Sequence, residues 1–261
     1  MNRILSCFDA LPMIGGVFFA GLIGLILGSF IATLVLRWPA GRSVLGRSQC
    51  DGCGRPLRAW ELVPLLSALG MRGVCARCGM RIDPFHGRVE IASGLIGVIA
   101  LVLLPGVAGW LWALFGWLLL PLALLDARHF WLPDRLNAVL AIVGLLLAGP
   151  VLGASVIDRW IGALAGGLIL AGIAWAYRRL RGGEGMGGGD PKLVAAIGCW
   201  LGWQALPLML LLASLGGLLW ALIAHGKGDR PLARRRVPFG LFACVAAWAT
   251  VSLWPLFIGS S

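Results

Sequence analysis

The sequence predicts an all-α polytopic membrane protein, with about eight transmembrane helices and a four-cysteine zinc-binding cytosolic loop after the first. Three observations carry the prediction. Of 261 residues, 59% are hydrophobic and only 13% are charged, and the mean hydropathy is +0.91. About a quarter of an ordinary globular chain is charged, so a soluble domain of this size could not hide that much apolar surface. Thirty-nine residues are glycine, which is more frequent in membrane spans than in soluble helices. The apolar residues also fall into runs near the roughly 20 residues that a bilayer core demands of a helix.

The first run is uncharged over residues 10–36, 27 in all, too long for the apolar core of about 7–15 residues in a secretory signal. It reads as a retained first span, over about 12–36. Further spans follow at about 89–104, 108–125, 136–153, 160–177, 190–202, 204–224 and 238–258. The second and sixth are short. Only Gly202, Trp203 and Gln204 separate the sixth from the seventh, so a count of seven stands beside eight. Pro105-Gly106, Gly149-Pro150 and Pro231 fall in connections, where helices break. The chain thus divides into a first transmembrane helix (1–36), a loop (37–88) and a transmembrane helical core (89–261).

Orientation follows from the placement of Lys and Arg. With the N-terminus outside, segments 37–88, 126–135, 178–192 and 225–237 face the cytosol and hold 20 of the 22 basic residues, leaving Arg3 and Arg159 outside. Both termini are then periplasmic. The net charge of +11 would suggest nucleic acid in a soluble protein. Here the basic residues flank spans, where they meet anionic membrane lipids, so no nucleic-acid partner is expected.

The loop contains Cys50-x-x-Cys53 and, after 21 intervening residues, Cys75-x-x-Cys78. Four soft thiolates make a tetrahedral Zn²⁺ site, and the gap is one residue longer than the usual four-cysteine pattern. Gly52, Gly54 and Gly79 give each knuckle its backbone freedom. The rival reading is two disulfides, against which a reducing cytosol argues. A closed four-thiolate site leaves no position for catalysis, so this zinc is structural, folding a loop too small to hold a core. Cys7, Cys199 and Cys244 are lone cysteines in or near spans and read as small apolar packers.

Two acidic residues lie where spans meet the cytosol. Asp126 ends the third span, and Asp190 opens the sixth in Gly187-Gly188-Gly189-Asp190-Pro191-Lys192. The topology drawn from Lys and Arg puts both on one face. Carboxylates in a membrane are costly, about 2.5–3.5 kcal/mol at the bilayer centre, and mark function. Two close carboxylates share one proton, because like charges cannot both ionise cheaply. The ionised partner can take a proton from water while the protonated one polarises a peptide carbonyl. The glycines before Asp190 would let an extended substrate backbone approach. Structural alternatives stand beside this. Asp190-Pro191 suits an N-cap followed by Pro in the first turn, and Asp126 can pair with Arg128 or Lys192. Asp134, in Leu132-Pro133-Asp134-Arg135, reads as the cap of the fourth span.

Several motifs occur together. Gly28-Ser29-Phe30, the two C-x-x-C knuckles, Glu90, Asp126 followed by Leu132-Pro133-Asp134, and Gly185-Met186-Gly187-Gly188-Gly189-Asp190-x-Lys192 come in the order seen in bacterial prepilin peptidases. Residues 21–205 resemble that family of GxGD aspartyl membrane proteases. The resemblance implies an enzyme of the bacterial inner membrane. It would cut the basic leader from type IV prepilins, or from the pseudopilins of type II secretion, on the cytosolic side. Asp126 and Asp190 match the family's catalytic pair, supported by Gly187, Gly188, Gly189 and Lys192, and 89–261 becomes the peptidase core. Many members also methylate the new N-terminus with S-adenosylmethionine, using the first cytosolic loop near the third cysteine, where Gly73 matches. Val74 stands where the family usually has a basic residue, and Phe85-His86 where it usually has Tyr-Pro. Both departures bear on methylation rather than on the aspartates. Components of a pilus or secretion assembly are the implied partners. A different class of function, a non-enzymatic membrane scaffold or transporter with a zinc-ribbon docking loop, predicts that replacing either aspartate alters assembly or transport without any peptide being cut. A presenilin-like GxGD protease is disfavoured by the four-cysteine loop.

Overall fold

A computed structural model describes residues 2–44, 46, 49–50, 53–56, 74–75, 77–81, 83–182, 187–225 and 237–258. Gly52, Gly73, Gly185, Met186 and the basic cluster at 227–236 lie outside the described residues. Among the described residues there are eight helices: α1 (Asn2–Arg37), α2 (Phe85–Leu103), α3 (Val107–His129), α4 (Asp134–Leu147), α5 (Gly149–Leu152), α6 (Val156–Arg181), α7 (Asp190–His225) and α8 (Phe239–Ile258). Apart from turns, the remainder contains two isolated β-bridges. Six of the helices are long and apolar enough to cross a membrane. Helices are the natural choice in lipid, where each backbone polar group must find its partner within the segment. Large apolar side chains such as Phe18, Ile157, Leu168 and Leu180 are mostly exposed, which water would penalise and acyl chains do not. The chain is a multi-pass membrane protein.

Two stretches of the sequence reading correspond to interrupted helices. The helix α7 runs for 36 residues but carries a non-helical residue, Gly202, at φ 73 and ψ 176. That backbone region belongs essentially to glycine, and the break separates the segments predicted at 190–202 and 204–224. The fourth span is α4 followed by the single turn α5, joined at Ala148. Ser155 and Asp158 form a reciprocal capping box that starts α6, and left-handed Gly182 ends it.

The chain forms two compact units, residues 1–117 and 118–261, divided within α3. In the first, α1 packs on α2. A Cβ on Gly24 would run into the Ser93 carbonyl, and one on Gly28 would sit 2.6 Å from the Glu90 Cα. Two pieces of the sequence motif, Gly28 and the buried Glu90, therefore meet here. Trp117 Nε1 donates to the Ser93 carbonyl at 2.9 Å.

In the second unit α7 is central, with α4, α6 and α8 packed on it. Gly162 of α6 and Gly198 of α7 face each other so closely that a Cβ on either would run into the other's backbone. Lipid offers no hydrophobic drive for helix association, so such close packing through small residues holds spans together. Arg159, one of the two basic residues assigned outside, is buried. Its Nη1 donates to the Gly144 and Leu145 carbonyls at 3.0 Å, adding a donor to the carbonyls at the end of α4, where Gly144 also accepts from the Ala148 N–H. Trp200 Nε1 donates to the Leu140 carbonyl at 2.8 Å.

Candidate active site and thiolate loop

Each cysteine knuckle repeats one local pattern. Cys50 N–H donates to the Arg55 carbonyl and Gly54 N–H to the Cys50 carbonyl, both at 2.9 Å. Cys75 N–H donates to Met80 at 2.8 Å and Gly79 N–H to Cys75 at 2.9 Å. Gly54 and Gly79 turn the chain at φ 66 and 69, a left-handed conformation that glycine adopts without strain. The four sulfurs are separate thiols that lie within 4.8 Å of one another, with Cys50 and Cys78 at 3.7 Å. Sulfurs at the corners of a ZnS₄ tetrahedron, with bonds of about 2.3 Å, stand about 3.8 Å apart. The donor set therefore fits a tetrahedral metal ion. The N–H groups of Cys78 and Arg77 point at the Cys75 sulfur and lower its pKa to about 6, preparing a thiolate ligand. Although the Met80 N–H favours the Cys78 thiolate, desolvation and the neighbouring cysteines push that group up to about 11. A cation at the centre is what would let all four ionise together.

The carboxylate site is built from helix ends in the second unit. Asp126 lies in the last turn of α3, and Asp190 is the first residue of α7. Both are buried, at 5% and 6% exposed, and the Asp126 charge reaches Asp190. Leu241 N–H, in the first turn of α8, donates to Asp126 Oδ2 at 2.9 Å. Gly187 N–H donates to Asp190 Oδ2 at 3.0 Å. Each carboxylate thus has Oδ2 tied to a backbone N–H.

Leu132 packs against Gly189, the residue before Asp190, and lies near Gly240. A Cβ on Gly189 would lie 2.8 Å from Leu132 Cβ, and one on Gly240 would lie 3.1 Å from Leu132 Cδ1 and 2.9 Å from Asp126 Cγ. The chain reaches Leu132 through Phe130, which has φ 50 and whose N–H closes the end of α3 on the Asp126 carbonyl at 2.9 Å.

Several sequence expectations change in detail. Asp190 does not cap its own helix, because its carboxylate folds back onto Gly187, three residues upstream. Asp134 does not cap α4 either: the cap position is Pro133, with no side-chain hydrogen bond, and both Asp134 oxygens accept from Lys192 Nζ, at 2.7 and 2.9 Å. Lys192 is therefore engaged by Asp134 rather than by Asp126. Among the three glycines, Gly187 donates to Asp190, Gly189 makes room for Leu132, and only Gly188 faces open space. Cys199 and Cys244 are buried as small packers. Gly240 and the Leu241 N–H escaped the sequence reading. One clue was present: the last span opens on Pro238, which has no side-chain acceptor for the first N–H groups, so one must come from elsewhere.

Residues 113–222 match the type IV leader peptidase family, and residues 22–104 match the bacterial peptidase A24 N-terminal domain. The chain is 38% identical to a prepilin leader peptidase/N-methyltransferase of Burkholderia pseudomallei, over 95% of this chain and 88% of that one. The chain belongs to the type IV leader peptidase family. Similar proteins of the same description include one from Aeromonas hydrophila, 40% identical over 83% of this chain and 74% of the relative. Another is from Pseudomonas aeruginosa, 34% identical over 89% and 88%. No solved structure matches the chain at a significant level. The second family match spans the four cysteines, and the first spans both aspartates.

Proposed function

We propose that the chain is a membrane aspartyl endopeptidase that removes the basic leader from type IV prepilins or type II secretion pseudopilins and N-methylates the new N-terminus. One observation carries the peptidase reading. Two buried carboxylates lie at one end of a helical bundle, each with Oδ2 held by a backbone N–H. In this reading Asp126 and Asp190 are catalytic and hold one proton between them. Water bound between the Oδ1 atoms gives a proton to the ionised carboxylate as its oxygen attacks the scissile carbonyl. The protonated partner hydrogen-bonds the carbonyl oxygen and stabilises the developing charge. Collapse of the tetrahedral intermediate breaks the C–N bond, and a carboxyl proton passes to the departing amine. Gly188, open on its outer side, leaves room for an extended substrate backbone, and Lys192 reinforces the α4–α7 contact through Asp134.

The basic flanks support an inner-membrane protein with the carboxylates on the cytosolic side and both termini periplasmic. The loop at 37–88 would then be cytosolic, with Cys50, Cys53, Cys75 and Cys78 holding a structural Zn²⁺, and 89–261 would be the peptidase core. When bound, the ion supplies no chemistry to the cleavage and serves to fold the loop. S-adenosylmethionine is the methyl donor by family likeness, with Gly73 in the donor region. Prepilin or pseudopilin substrates, membrane lipids and a pilus or secretion assembly are the partners. Family membership leaves the scaffold and transporter alternative without a supporting observation. The test is purified protein in detergent mixed with a full-length prepilin and S-adenosylmethionine, read by mass. Loss of the leader and gain of one methyl group are the expected products. An intact prepilin after prolonged incubation with well-folded enzyme would overturn the reading.

A further inference from the structure

The aspartate pair sits at the ends of α3 and α7, yet the hydrogen bond that orients Asp126 comes from a third element, 115 residues away in sequence. Leu241 N–H is one of the orphan donors of the first turn of α8, and no side chain of that turn's preceding residue, Pro238, can satisfy it. The Asp126 carboxylate takes that place. It can do so because the residue before Leu241 is glycine: a Cβ there would stand 2.9 Å from both Cγ and Oδ2 of Asp126 and 3.1 Å from Leu132 Cδ1. The same face of α8 continues, one turn on, to Cys244, which is buried and lies within electrostatic reach of both Asp126 and Asp190. This face of α8 therefore fronts the pair.

We propose that the first turn of α8 is a positioning element of the carboxylate pair, in which Gly240 provides the space that seats Asp126. The inference rests on the dyad reading and deepens it. Gly240 touches no reacting atom and acts through Asp126. With Oδ2 held by Leu241 N–H, the Asp126 carboxyl group is seated against the first turn of α8. Any side chain at 240 forces Asp126 to rotate off the N–H or pushes α8 away, and either movement displaces Oδ1 relative to Asp190. Misplacement of about 1 Å costs a reaction on the order of 10²-fold. Substrate binding, which does not pass through residue 240, is spared.

The experiment measures prepilin leader removal by the full-length enzyme in detergent, with kcat and KM separated. In Gly240→Ala, kcat should fall by about 100-fold while KM stays within about twofold. Gly216→Ala is the control, since its Cβ would press on Phe242 at 3.1 Å, on the same α7–α8 contact but away from the aspartates. Its kcat should match wild type. An equal fall in Gly216→Ala would mean general loosening of α8 and would overturn the proposal, as would a Gly240→Ala enzyme of wild-type kcat. Leu132→Ala frees the 3.1 Å neighbour but not Asp126, so adding Gly240→Ala to Leu132→Ala should still cost about 100-fold. Recovery to the Leu132→Ala rate would trace the defect to Leu132 and overturn it too. That double variant is also the one to read should Gly240→Ala fail to accumulate in the membrane. Asp126→Asn and Asp190→Asn are assayed alongside. If either cleaves at the wild-type rate, the dyad itself is wrong and this inference falls with it. If both are inactive while Gly240→Ala is unimpaired, only this inference falls.

Discussion

The four thiols at 50–78 sit on two short turns that make the same hydrogen bonds, each closed by a glycine just after its second cysteine. The two carboxylates sit on two helix ends, Asp126 held by a third and Asp190 by Gly187 just upstream, and no two of these helix ends are neighbours in sequence. A thiolate knuckle specifies its own geometry within six residues and needs a partner knuckle only to complete the ligand count. A carboxylate pair in a membrane has no such local frame. Its geometry is inherited from helix packing, so small changes far from the acids can reach it. The first site should fail by losing its ligand, the second by losing its alignment.

The largest effect that separates the two sites is on the acids. Asp126→Asn and Asp190→Asn should each lower leader removal by about 10²–10⁴-fold, the range associated with a lost general acid or base. Insertion and folding should persist, because the amide keeps the shape of the carboxyl. Substantial cleavage by either variant, in a prepilin assay read by mass, would break the dyad. Next comes the thiolate loop. Cys75→Ser should lose its bound zinc by elemental analysis and slow cleavage without abolishing it, and methylation should fail first and completely. The metal's binding energy is the loop's folding energy, whereas both acids lie on spans outside the loop. Undiminished zinc in this variant would mean that these thiolates are not the ligands.

A smaller effect tests the inherited geometry. Gly198→Ala forces α6 and α7 apart and should cost about 1–3 kcal/mol, as overpacking generally does, measured by thermal unfolding in detergent. Activity should decline with it, since α7 carries Asp190. Gly24→Ala should cost a similar amount by crowding α1 against α2, with the metal content of the loop unchanged. The smallest effect belongs to Asp134→Ala. It removes an exposed ion pair with Lys192, 70% and 56% exposed, worth about 0–1 kcal/mol, and most cleavage should survive. A folded but inactive Asp134→Ala enzyme would identify Asp134, not Asp126, as the first acid.

The spans and the knuckles were legible because their signals are local. Runs of about 20 apolar residues announce helices in lipid, and two C-x-x-C-G turns announce their own fold. Even the break at Gly202 could be read from a polar interruption between apolar runs. The common face of Asp126 and Asp190 followed from the distribution of Lys and Arg, a property of the sequence and the membrane together.

What the sequence by itself determined is therefore the approximate limits of the spans, the four cysteines that cluster in the loop, and the two acids at one end of the bundle. Only the tertiary structure decided which neighbours those acids have: Leu241 N–H and the vacant side of Gly240 for Asp126, Gly187 N–H for Asp190, Leu132 against Gly189 and Gly240, and Lys192 for Asp134. The physical reason lies in the solvent. A helix that is apolar all round carries no stripe to say which face meets a partner, and in lipid that choice is made by close packing at small residues, which depends on the shapes of both helices at once. The seat of Asp126 is such a choice, made by a glycine more than a hundred residues away.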